Sequence, residues 1–177
     1  MKFTETKLKS SYLIEIEPFS DERGFFARNF CTKDFKKAGL DFSLAQSSIS
    51  FNITKGTLRG IHFQKKPYEE VKLVSCIKGS VFDVIVDLRE NSPTYCKWDC
   101  AILSADNYKT MYVPKGFGHG FQTLEDETII HYQMSESFKP EYYDGVLWND
   151  PAFNIKWPDV KNRIISKKDQ SYKRIYR

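Results

Sequence analysis

Apolar and polar residues alternate with a period of two along most of this chain, and no other feature constrains its fold as much. Successive side chains of a strand point to opposite faces, so the pattern describes half-buried strands rather than helices. Tyr12, Ile14 and Ile16 alternate with Leu13, Glu15 and Glu17. Gln46, Ser48, Ser50 and Asn52 form a polar face opposite Ile49, Phe51 and Ile53. Phe82, Val84, Val86 and Leu88 form an apolar face, while Asp83 and Asp87 share the other with Val81 and Ile85. Ile130, Tyr132 and Met134 lie opposite Ile129, His131 and Gln133. Turn-forming clusters separate these runs at residues 78–80, 90–93, 105–107 and 125–127. Helices are expected only at Thr32–Ala38 and around Pro158–Ile164.

Many short strands within 177 residues predict a single domain over residues 1–177, all-β, built as an antiparallel jelly-roll barrel with a few short helices. The 15% of aromatic residues suits a β-rich fold with ring-lined cavities. One face of each strand lines the interior of such a barrel, so a polar strand face is as good a candidate for a binding wall as for a solvated surface.

The net charge of +4 is mild; it admits anionic small molecules and does not argue for nucleic acid. Cys31, Cys76, Cys96 and Cys100 contain no C-x-x-C pair and read as reduced thiols, with a zinc site from Cys96, Cys100 and a distant histidine as the minor alternative. The first residues carry no apolar leader and no run approaches membrane length, so the expected location is the cytoplasm, off the membrane. There is no Gly-rich phosphate loop. There is also no H-x-H pair, because Gln64 stands two residues after His62; this weighs against a metal-dependent barrel enzyme.

With three histidines in the chain, each can be weighed. His62 lies in Thr57-Leu-Arg-Gly-Ile-His-Phe-Gln64, where alternation puts it on one strand face with Gly60 and Gln64. An isolated strand histidine is usually just a hydrogen-bonded one. The neighbouring Arg59, a planar cation at any neutral pH, makes a base beside an anionic substrate the sharper reading. His119 stands among glycines and aromatics in Pro114-Lys-Gly-Phe-Gly-His-Gly-Phe121, with Asp83 as a carboxylate able to orient it. Lys72 opens an apolar strand; it is either a solvated strand end or a fixed charge for an oxyanion. Tyr132 is either a core tyrosine or, if its hydroxyl meets a cavity, a proton donor. Arg23 alone would be an ordinary surface arginine.

These blocks together resemble the dTDP-4-dehydrorhamnose 3,5-epimerases, cupin-like enzymes acting on nucleotide sugars. The matching segments run from Asp21-Glu-Arg-Gly-Phe-Phe26 through Leu58-Arg-Gly-Ile-His-Phe-Gln64, Lys72-Leu-Val74, Asp83-Val-Ile-Val-Asp-Leu-Arg89, Pro114–Phe121 and Trp148-Asn-Asp-Pro151 to about Asp169. The resemblance implies a jelly roll that forms homodimers and needs neither cofactor nor metal. Its substrate would be a nucleotide-diphospho-4-keto sugar used in bacterial surface-polysaccharide synthesis, such as a capsule. It implies that His62 is the base, paired with Asp169; that Lys72 stabilises the enolate; and that Tyr132 delivers a proton from the opposite face. Arg23 and Arg59 would bind the diphosphate and His119 would share the pocket. Phe26, Arg28, Gln46, Ser48 and Phe138 would complete the substrate-binding surround.

The chain departs from the family pattern around the substrate rather than at the catalytic positions. Ser48 replaces an asparagine, Arg28 a glutamate, Glu69-Glu70 an Ala-Gln pair and Phe138 a tyrosine. Arginine can give two hydrogen bonds to the O6/N7 edge of guanine, which thymine lacks. The departures therefore point to a GDP-4-keto-heptose ahead of dTDP-4-keto-6-deoxyglucose. The rivals are a nucleotide-sugar 3,4-ketoisomerase, a non-catalytic sugar-nucleotide binder and a metal-dependent cupin oxygenase.

Overall fold

The computed structural model describes residues 1–175. In chain order the strands are β1 (Lys2–Glu5), β2 (Tyr12–Glu15), β3 (Phe19–Asp21), β4 (Gly24–Phe26), β5 (Gln46–Asn52), β6 (Thr57–Gln64), β7 (Lys72–Lys78), β8 (Ser80–Asp87), β9 (Trp98–Ser104), β10 (Thr110–Val113), β11 (Phe117–Thr123), β12 (Thr128–Met134), β13 (Tyr143–Gly145) and β14 (Ile164–Ile165). Two helices, α1 (Thr32–Lys37) and α2 (Lys167–Gln170), complete the described elements.

One sheet runs β1-β2-β10-β7-β12-β5 and the other β13-β6-β11-β8-β9, with β14 joining β6 in parallel and β3-β4 forming a separate hairpin. The remaining strand pairs are antiparallel, and the all-β jelly roll with short helices is as expected. A central core joins the sheets: Val74, Met111 and Ile130 from the first pack with Val81, Ile85, Leu103 and Phe121 from the second. Behind the first sheet, Phe35 of α1 covers Ile14, Leu73 and Tyr112. Behind the second, Val146, Phe153 and Trp157 cover Ile61, Val84 and Val86. Strand β8 is thus covered on both faces, which accounts for its nearly continuous apolar run.

Strand β5 is built the other way round. Gln46, Ser48 and Ser50 are partly buried, while Ile49 and Phe51 are 68% and 50% exposed. Its polar face turns inward, toward the interior at one end of the barrel.

One helix expectation needs correction. The helix expected near Thr32–Ala38 is α1, but Pro158–Ile164 is not helical. Its carbonyls serve tertiary contacts instead: Pro158 O accepts from Gln122 Nε2 at 2.9 Å and from the Arg163 guanidinium at 2.8 Å. Ile164 and Ile165 pair with β6, and the helix begins three residues later, where Ser166 caps α2 by accepting from Asp169 N–H.

Candidate active site

The polar end of the barrel holds a cavity of about 370 Å³ walled by both sheets. Strand β6 contributes Arg59 and His62 to the same wall, although simple alternation places them on opposite faces. The reason is a local irregularity. His119 on β11 pairs with His62, but Phe121, two residues on, pairs with Arg59, three residues back. Two residues facing three re-phase the strand as a bulge does, and the cation joins the imidazole. Gly60 makes this possible. Its φ is +121°, and a Cβ there would lie 2.6 Å from Gly120 Cα and 2.8 Å from His119 O.

His62 Nε2 is 2.9 Å from Asp169 Oδ1, and Asp169 Oδ2 accepts from Gly60 N–H at 3.1 Å. The carboxylate reaches the imidazole from 107 residues away because α2, capped by Ser166, holds it under β6. Burial pushes Asp169 up, but hydrogen bonds from His62, Gly60 and Ser166 outweigh it and hold the carboxyl below its usual range. Burial lowers His62; Asp169 opposes that and Lys72 reinforces it, leaving the imidazole below its usual value. A base in this setting is neutral, and able to take a proton, at physiological pH.

Lys72 Nζ, on β7, lies 2.9 Å from Glu70 Oε1 and 3.4 Å from the carbonyl of His62. Both side chains of this ion pair are nearly buried, and Glu70 Oε2 finds no partner among the described residues. Tyr132, on β12, lines the cavity, and burial pushes its phenol well up, so it is held protonated. Its ring meets His119 edge-on at 5.9 Å. His119 Nε2 is 2.7 Å from Asp83 Oδ2, the orienting contact expected for it. Asp83 has no solvent exposure, and its burial raises the carboxyl.

The structure therefore brings His62, Lys72, Tyr132, Arg59, His119, Ser48 and Phe138 to one cavity, with Asp169 directly behind His62. Gln46 sits at its edge, donating to Ser48 Oγ at 3.3 Å and accepting from Phe138 N–H at 2.9 Å. Arg23, Phe26 and Arg28 do not line it. Arg23 forms an exposed pair with Asp21, and Phe26 is 77% exposed on the β3-β4 hairpin. Arg28 pairs with Asp34 at 3.2 Å beside a different cavity lined by Met1, Phe3 and Lys37. Tyr143 and Met134 also line the site and were not expected there. Met134 was legible, since it shares a strand face with Tyr132. Tyr143 lies on a three-residue strand, too short to show a period.

Among the described residues, no cluster of three or more His, Cys, Asp or Glu side chains could hold a metal ion. Cys96 and Cys100 are both free thiols. No helix is long and apolar enough to cross a membrane.

A family model described as dTDP-4-dehydrorhamnose 3,5-epimerase matches residues 5–176. A relative of that name from Methanothermobacter thermautotrophicus is 43% identical over 175 residues, covering 97% of this chain and 93% of its own. The crystal structure of a Bacillus anthracis enzyme of that name, with TDP and pyrophosphate bound, superposes with a TM-score of 0.94 at 42% identity, covering 98% of this chain and 99% of the other. A Legionella pneumophila dTDP-6-deoxy-D-glucose-3,5-epimerase, in complex with dTDP-4-keto-L-rhamnose, gives 0.92 at 35% identity, covering 98% and 92%.

Proposed function

This chain belongs to the dTDP-4-dehydrorhamnose 3,5-epimerase family and is an epimerase of nucleotide-linked keto sugars, and from that premise we propose that it inverts C3 and C5 of dTDP-4-keto-6-deoxyglucose. The observation that carries the reading is the placement of a base and an acid on facing sheets. His62 comes from β6 of one sheet and Tyr132 from β12 of the other, and both line the same cavity. A flat enolate held between them meets the imidazole on one face and the phenol on the other.

The steps follow from that arrangement. The C4 ketone acidifies the hydrogens on C3 and C5. Neutral His62 removes one of them, and Asp169 orients the ring and balances the imidazolium that forms. The electron pair moves to O4, where the Lys72 ammonium stabilises the oxyanion, an effect worth about 3–4 kcal/mol for a well-placed donor. Tyr132 then delivers its proton to the carbon from the opposite face, and the configuration inverts. Arg59 on the cavity wall supplies positive charge for the diphosphate.

Arg28 was the ground for expecting guanine. Within its own chain it is engaged by Asp34 outside the cavity, and relatives named for dTDP sugars, one of them solved with dTDP-4-keto-L-rhamnose, support the thymidine nucleotide ahead of a GDP-4-keto-heptose. A homodimer is part of the same proposal. Strand β5 is an open sheet edge with Ile49 and Phe51 exposed, as is Ile53 just beyond it, and Phe19 and Phe26 are about three-quarters exposed on the hairpin. If Arg23, Phe26 and Arg28 touch substrate, they do so from a second copy. Four free thiols suit a reducing cytoplasm, where surface-polysaccharide precursors would be made.

The test is proton NMR in deuterium oxide with dTDP-4-keto-6-deoxyglucose and a GDP-4-keto-heptose. Deuterium at C3 and C5 with inversion of the dTDP sugar is expected. Migration of the carbonyl would indicate a ketoisomerase, and absence of exchange a binder. Faster turnover of the GDP sugar would restore the guanine reading.

A further inference from the structure

Tyr143 projects into the cavity and is held there by three ring contacts. Its centroid lies 5.2 Å from that of His62 and 5.2 Å from that of Phe138, and Lys168 Nζ sits 4.7 Å from the ring. Its hydroxyl, by contrast, has no hydrogen-bond partner among the described residues, and burial pushes the phenol well above its usual range. Phenylalanine would satisfy all three ring contacts without desolvating a hydroxyl, so packing does not account for a tyrosine here.

We propose that Tyr143 is a substrate-contacting residue whose hydroxyl hydrogen-bonds the sugar of the bound nucleotide sugar on the side from which the base approaches. The inference rests on the epimerase reading above. Tyr143 stands against His62 itself, in the cavity that Tyr132 also lines, which places it at the reacting sugar rather than the nucleotide. It cannot replace Tyr132 as the inverting acid. Strand β13 is the neighbour of β6 in the base's own sheet, so both side chains reach the sugar from the same side. The hydroxyl is a binding group for the sugar, and the ring is a brace for the imidazole.

Tyr143→Phe separates these parts, because it retains the ring and deletes only the hydroxyl. Affinity for dTDP-glucose, which has no ketone and so is not turned over, is read by calorimetry beside that for dTDP. The expected result is a loss of about three- to tenfold for dTDP-glucose, the size of one neutral hydrogen bond, with dTDP unchanged. KM for the keto sugar should rise by a similar factor while deuterium incorporation per turnover is retained. Unchanged dTDP-glucose affinity overturns the inference, as does an equal loss for dTDP, which would place the contact on the nucleotide. Loss of inversion at constant KM overturns it too, by making Tyr143 an acid. A wild-type chain that binds dTDP-glucose in this manner yet fails to epimerise would refute the proposed function and leave the sugar contact standing.

Discussion

His62 and His119 face each other across β6 and β11, and each is bonded to a carboxylate, yet the two pairs differ in what surrounds them. Asp169 sits on a capped turn of helix, accepts a second bond from Gly60 N–H and is held below the usual carboxyl range. Asp83 lies in the middle of β8 without solvent exposure, has no partner for Oδ1 among the described residues and is raised by burial. The His62 side chain is 20% exposed to the cavity, that of His119 5%. Equal residue types thus yield one imidazole that is more open to the cavity and backed by a well-satisfied carboxylate, and another that is nearly buried against Tyr132. The surroundings, more than the histidine–carboxylate contact, distinguish the two, and the proposed mechanism assigns proton abstraction to His62.

The largest effect expected from breaking this comparison is at His62. His62→Ala should lower kcat/KM by about a hundred- to ten-thousandfold, the range of a general base, with the fold retained by circular dichroism. His119→Ala should cost less, and an equal or larger loss would reverse the two roles. The carboxylates sharpen the contrast. Asp169→Asn removes a charge-assisted bond and should cost about ten- to a hundredfold in kcat. It should also move the acidic limb of the kcat/KM profile to lower pH. The sign follows from charge: His62 must be neutral to act, Asp169 favours its protonated form, and removing that charge lets protonation occur only at lower pH. Asp83→Asn should leave that limb where it is, and a shift there would make His119 the titrating base. A smaller effect is expected from Glu70→Gln. The variant keeps a side chain of the same shape beside Lys72 but removes the negative charge 2.9 Å from the ammonium. A loss in kcat smaller than that of Asp169→Asn, with KM held, is expected if Glu70 only positions Lys72. A rise in KM alone would assign Glu70 to substrate binding.

The parts of the molecule legible in the sequence are those governed by short-range period. The two faces of β8, the inward Tyr132 and the turns after β7, β9 and β11 follow from alternation and turn chemistry. The polar face of β5 was legible as a wall, and Ser48 and Ser50 do line the cavity. The joint placement of Arg59 and His62 was not, because a register irregularity undoes the alternation that would separate them. Asp169 could be expected beside His62 only through family resemblance, since no local pattern links residues 107 apart. Arg28 pairs with Asp34, six residues on and outside this chain's cavity, a contact that strand alternation does not contain. The region of Pro158–Ile164 lost its expected helix to tertiary hydrogen bonds, which a local pattern does not contain.

The proposed epimerisation requires His62 and Tyr132 to act on opposite faces of one enolate. Its most direct test is Tyr132→Phe incubated with dTDP-4-keto-6-deoxyglucose in deuterium oxide, with exchange and inversion followed together by proton NMR. Abstraction by His62 does not require the phenol, whereas reprotonation from the far face does. Deuterium should therefore still enter the sugar while inversion falls far more than exchange. Equal loss of exchange and inversion, or loss of neither, would contradict the two-faced arrangement.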